Sequence, residues 1–232
     1  MKILVCFLLV QASLAWARPS VKVDSSAWRL ASDHDGIALY SCQVEGTGIV
    51  PFKAVMRIPA SIEEISVVLE DASRRGDWIS HFGSSALLER KDDYEQTEYL
   101  RMAMPWPIAD RTSVVRVRIS VSKDQRTATI AGRSVEAAPT AAYPALVRAL
   151  IYDSTFQMTR AAEGTEVTAL IFIDPQGNLP KWAVNLFTGT VSRSTLAGLR
   201  RQVAKKLYSP EVIAAMRERI LDYDALKNGR ND

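Results

Sequence analysis

The chain has 232 residues, 47% of them hydrophobic, and its 29 Lys+Arg against 26 Asp+Glu leave a net charge of +3. That length supports one sizeable core, and so small a positive surplus does not by itself suggest a nucleic-acid binder. Two histidines and two cysteines are too few for the usual His/Cys zinc clusters, so neither a metal nor another cofactor is expected.

Met1-Lys2, the apolar run Ile3 to Val10 and Ala15-Trp16-Ala17 make up the three parts of a secretory signal. The run is too short to span a bilayer as a mature helix. Residues 1–17 are therefore read as a cleaved signal peptide, and the protein as periplasmic or secreted. Cleavage removes Cys6 and leaves Cys42, and a single cysteine forms no internal disulfide.

Ser25 to Ser32 is read as a short helix anchored by Trp28 and Leu30, and Asp35-Gly36 as a turn into a strand, Ile37 to Val44. A second strand, Val50 to Ile58, sets Phe52, Ala54 and Met56 against Lys53 and Arg57, the alternation of a hairpin with one buried face. Ser61 with Glu64 three residues on is a capping-box signature for a helix to about Asp71, and Arg74 to Phe82 follows as another short helix. The tripeptide Arg75-Gly76-Asp77 within it is too short to argue for adhesion. Five strands come next, at about Ala86 to Lys91, Glu95 to Met104, Thr112 to Ser122, Thr127 to Ser134 and Arg148 to Thr159, with Ala137 to Tyr143 as a loop.

The last strand, from Thr165, alternates Val167, Ala169, Ile171 and Ile173 with Thr168, Leu170 and Phe172 before the turn Asp174-Pro175-Gln176-Gly177-Asn178. Pro180 opens a long helix, with Val184, Phe187 and Val191 and then Leu196, Leu199 and Val203 at helical spacing. Its apolar face is broad and drifts round the cylinder, which suits a helix lying across a concave sheet. Ser209-Pro210 starts a final helix with Ile213, Met216, Ile220 and Tyr223 as its stripe.

"GTEVTALIFIDPQGNLPKWAVNLF" at this strand-turn-helix, "DHDGIALY" at 33–40, "DASRRGDW" at 71–78 and "MPWPIADR" at 104–111 together resemble the steroidogenic-acute-regulatory-related lipid-transfer (START) domain. The resemblance implies an α+β helix-grip fold: a curved antiparallel sheet of about nine strands gripping a long C-terminal lid helix. The START-like domain is placed at 18–208, followed by an extra helix and tail at 209–232. The resemblance also implies binding and transfer of a hydrophobic lipid, whether a phospholipid, sterol-like or other acyl lipid. Two alternatives on the same fold are a cyclase- or aromatase-like enzyme and a lipid sensor. No nucleophile elbow, phosphate loop or dinucleotide fingerprint is present, so no catalytic residues are assigned.

A carrier needs apolar walls and a few polar groups. Met102, Met104, Val117, Ile171, Val184, Phe187 and Val191 are the candidate wall; the resemblance implies that Trp78 packs near one end of the cavity, with a place in the ordinary core as the alternative. Glu98 shares a strand face with Leu100 and Met102, an awkward place for a charge without a partner. By the resemblance it falls where sterol-binding members carry a cavity acid; the partner arginine would fall at Val117, and Arg116 or Arg118 could replace it only in a register shifted by one. Arg111 is expected in a structural salt bridge with Asp110 or a neighbouring carboxylate. Arg193, Arg200, Arg201, Lys205 and Lys206 have no acid among them; of these, Arg200, Arg201, Lys205 and Lys206 are the candidate contacts to an anionic membrane.

Overall fold

The computed structural model describes residues 27–135 and 146–223. The expected signal peptide, the loop at 137–143 and the tail beyond 223 lie outside the described residues. The chain runs β1 (Arg29–His34), β2 (Ile37–Ser41), β3 (Phe52–Ile58), α1 (Ile62–Glu70), a 3-10 helix (Ala72–Asp77), β4 (Phe82–Arg90), β5 (Glu95–Met102), β6 (Arg111–Val121) and β7 (Thr127–Ser134). It continues with β8 (Val147–Arg148), β9 (Leu150–Arg160), β10 (Thr165–Asp174), α2 (Lys181–Ala204) and α3 (Pro210–Leu221).

Nine strands form one sheet in the order β1-β2-β3-β10-β9-β7-β6-β5-β4, and two-residue β8 adds to β6. Every neighbour along that path is antiparallel, while β8 is parallel to β6. The last strand of the chain therefore lies between β3 and β9, where Val167 and Ala169 are fully buried. This is the expected helix-grip arrangement, with α2 crossing β2, β3 and β10.

Two local expectations are corrected. Residues 29–34 are strand, not the helix anchored by Trp28 and Leu30: Asp35 and Gly36 both take positive φ, 54° and 68°, and fold β1 back onto β2 with His34 opposite Ile37. Leu30 is 58% exposed and anchors nothing. The short helix after α1 ends at Asp77, and Phe82 already belongs to β4.

The capping box at α1 forms as read: Ser61 Oγ accepts from Glu64 N, and the Glu64 carboxylate accepts from Ser61 N at 2.8 Å. α3 packs on α1. Its Met216 and Ile220 join the main core, Arg219 pairs with Glu70, and Arg160 and Arg217 converge on buried Glu63. Burial alone would raise the Glu63 pKa, but its bond to Arg160 holds it below the usual carboxylate value.

The buried stripe of α2 is not simply apolar. Leu196 and Leu199 are fully buried, and between them and Val184 lie Thr188, Gly189, Ser192, Thr195 and Gly198. Small residues let the helix approach closely. A Cβ at Gly198 would stand 2.2 Å from the carbonyl oxygen of Trp78, and one at Gly189 would stand 3.0 Å from the Phe52 ring.

Candidate functional site

A cavity of about 220 Å³ lies beneath the N-terminal half of α2. Ala183, Val184, Phe187, Thr188 and Val191 form its lid, Met102, Ile171 and Ile173 its sheet wall, and Met104, Ile108, Pro175 and Leu179 its two loop walls. Six of the residues expected from sequence stand here: Met102, Met104, Ile171, Val184, Phe187 and Val191. The alternation of β5 and β10 puts the sheet residues on the concave face. The loop residues Ile108, Pro175 and Leu179 escape a reading based on periodicity because loops have none.

A second chamber of about 130 Å³ takes the remaining three, Trp78, Glu98 and Val117, together with Leu100, Ile151 and Phe156. It adjoins the first: Ile151 is the cross-strand partner of Ile173, and Leu100 is two residues from Met102 on the same face of β5. The Trp78 ring packs edge-on to Phe156 at 6.1 Å. Glu98 is buried, and its partner is Arg75 of the 3-10 helix. Arg75 meets the carboxylate through both terminal nitrogens, Nη2 to Oε1 at 3.0 Å, and Gln96 adds a third donor. The expected alternatives are corrected. Glu98 stands opposite Val115 in the sheet, while Arg116 and Arg118 turn to the other face and pair with Glu95. Sequence reasoning missed Arg75, which lies 23 residues from Glu98 on a different element.

Two loops rim the larger chamber: 103–110, between β5 and β6, and 175–180, between β10 and α2. In the first, Asp110 accepts from Met104 N at 3.0 Å and Arg101 Nε at 2.7 Å. The backbone N–H and then Arg101 hold its pKa below the usual value. Asp110 therefore belongs to Arg101, and the expected Arg111–Asp110 bridge does not form. Arg111, 4% exposed, donates instead to three backbone carbonyls: Nε to Pro175 O at 2.9 Å, Nη2 to Gln176 O at 3.2 Å, and Nη1 to Ala109 O. Burial pulls its pKa down from the ordinary arginine value. The first rim and the start of α2 also carry exposed apolar side chains. Trp106 is 93% exposed, and Trp182 and Leu186, at the start of α2, are 72% and 67% exposed.

The cationic residues lie elsewhere. Lys205 is eighteen residues from Phe187, about 27 Å along the helix axis, so the cations are at the opposite end of α2 from the chamber. Arg200 donates to Asp35 O, Lys205 to Gln202, and Lys206 pairs with Glu64 at 2.6 Å; Arg201 is exposed. No cluster of His, Cys, Asp and Glu suited to a metal occurs among the described residues.

Residues 19–205 match the START domain family model. An uncharacterised protein of Pseudomonas aeruginosa is 28% identical over 182 residues, 77% of this chain and 88% of that one. The solved structure of a STAR-related lipid transfer protein fragment from Xanthomonas axonopodis is 26% identical with a TM-score of 0.66, covering 77% of this chain and 99% of that one. Human StAR-related lipid transfer protein 5, at 17% identity, shares the fold with a TM-score of 0.71 over 80% of this chain and 90% of that one.

Proposed function

The chain belongs to the START domain family, and on that premise we propose that it takes a hydrophobic lipid into the larger chamber and carries it between membranes. The observation that carries this reading is the apolar cavity of about 220 Å³ closed by the N-terminal half of α2. Apart from Thr188 its lining residues are apolar, with two methionines that adapt to flexible chains. Each buried methylene contributes about 0.8 kcal/mol, so an acyl chain supplies binding energy without a catalytic group. Ligand sites of about 300–1,000 Å³ are usual. The chamber as it stands therefore suits a single chain, and a bulkier lipid requires the lid half of α2 to lift.

The same reading makes the protein a carrier rather than an enzyme. The two charged groups on the second chamber's wall, Arg75 and Glu98, are bonded to each other. It puts the bilayer against the 103–110 loop and the start of α2, where Trp106, Trp182 and Leu186 are exposed; tryptophan favours the membrane–water interface. Arg200, Arg201, Lys205 and Lys206 then add long-range attraction to anionic lipid rather than the docking contact.

Transfer of a labelled lipid from donor to acceptor vesicles tests this. Wild-type protein should accelerate transfer, and replacing Trp106 and Trp182 with Ser should slow it more than neutralising the four cations does. Binding without acceleration would mean a sensor, and no binding would refute the reading. Export is part of the proposal, because the family match begins at residue 19, just past the expected cleavage after Ala17. N-terminal sequencing of the exported protein should begin at Arg18.

A further inference from the structure

We propose that Arg111 is the latch between the two rims of the chamber, so that its guanidinium sets how fast lipid enters and leaves. The inference rests on the lipid-carrier reading of that chamber. Arg111 is the first residue of β6 and so is fixed to the sheet. Its three nitrogens reach carbonyls on both rims, Ala109 on one side and Pro175 and Gln176 on the other. These loops are walls of the chamber, through Ile108 on the first and Pro175 and Leu179 on the second, and the second leads directly into the lid half of α2.

The chemistry fits a latch better than a simple prop. A guanidinium presents donors in a rigid planar fork, which is what three divergent carbonyls require. Among the described residues Arg111 has carbonyl acceptors and no carboxylate partner, and burying a cation that way costs desolvation. Such an attachment is released more readily than a buried ion pair. The far loop is itself strained: Gln176 and Gly177 take positive φ of 56° and 79° in succession, and for a glutamine that conformation is uncommon. Asp174 Oδ1 accepts from Gln176 N at 2.8 Å, and Arg111 Nη2 donates to Gln176 O on the other side of the residue.

The test compares Arg111→Lys, whose single ammonium cannot span both rims, with wild type. A second variant, Gly177→Ala, leaves Arg111 in place and adds a Cβ at the left-handed position, 3.5 Å from Nη2. Two readouts are taken: efflux of a preloaded nitrobenzoxadiazole-labelled fatty acid, and amide hydrogen exchange. Both variants should load the same amount of probe; Arg111→Lys should release it roughly ten- to a hundred-fold faster, the scale of one lost hydrogen bond to a charged donor, and Gly177→Ala, which only strains the left-handed position, a few-fold faster. Exchange should rise at 103–110 and 174–180 and stay unchanged in β3 and β9. Unchanged efflux and unchanged rim exchange in Arg111→Lys would overturn the latch. So would exchange rising evenly through the sheet, with loading lost in step with Tm, because Arg111 would then only support the fold. If wild type takes up no probe, the carrier reading fails, and rim exchange still reports separately whether Arg111 holds the loops.

Discussion

The two halves of α2 lie over different ground. From Thr195 onward the helix rests on packed protein. Leu196 and Leu199 are fully buried, Gly198 approaches the Trp78 backbone, Thr195 Oγ1 accepts from Ser80 N, and Gln202 reaches Asp77. Before Ser192 it roofs the chamber, where Ala183, Phe187 and Val191 are only half-buried, and its packed contacts are fewer: Val184 against Ile49 and Phe172, Gly189 against Phe52, and Asn185 Oδ1 accepting from Val50 N. In this half the side chains of Thr188 and Ser192 bond back to the carbonyls four residues earlier, with Gly189 between them. Back-bonded Ser/Thr and glycine both weaken a helix. One helix thus combines an anchored end with a soft one, so opening a chamber need not cost the fold its core.

The largest expected effect is at the anchored end. Arg75→Met leaves Glu98 buried without its counter-charge and should cost about 3–5 kcal/mol in denaturant unfolding. Adding Glu98→Leu should recover most of that loss, and a double variant as unstable as the single one would mean that the pair is not what holds the 3-10 helix. The two glycines compare the halves directly. Gly198→Ala drives a methyl into a backbone carbonyl, and overpacking of that kind costs about 1–3 kcal/mol, or more where nothing can move. Gly189→Ala meets a ring that can shift, and the helix-propensity gain of about 1 kcal/mol should leave it near neutral. Equal losses at both sites would break the distinction between the halves.

Filling the chamber gives a smaller effect on stability. Val191→Phe adds volume where there is room, so stability should move by less than about 1 kcal/mol while lipid loading falls. The smallest effect is that of pH on the rim. Asp110 has a folded pKa below its ordinary value of 3.8, so its contribution is fully present above that value and lost as pH falls through the lower, folded one. Hydrogen exchange at 103–110 should rise in that acid window and stay flat above pH 5, with high salt having a similar but weaker effect through Arg101.

Much of this was legible in the sequence because it is periodic. The alternation in β3, β6 and β10, the capping box at Ser61 and the inward faces of Met102, Ile171 and Phe187 follow from spacing alone. β1 was not legible. Five of its six residues are exposed, so no buried face marks it, and it exists through pairing with β2. The partner of Glu98 was missed because Arg75 lies 23 residues away on a different element; pairing of that kind depends on how a helix seats on a sheet. The role of Arg111 was hidden for another reason: its acceptors are carbonyls, which every residue carries.

Native mass spectrometry of the purified protein tests the central claim most directly. If the N-terminal half of α2 closes a lipid chamber, wild type should carry one hydrophobic molecule per chain that is released on unfolding, and Val191→Phe should carry much less at equal stability. Wild-type protein that is empty and cannot be loaded from vesicles, or a Val191→Phe variant that loads as fully as wild type, would contradict it.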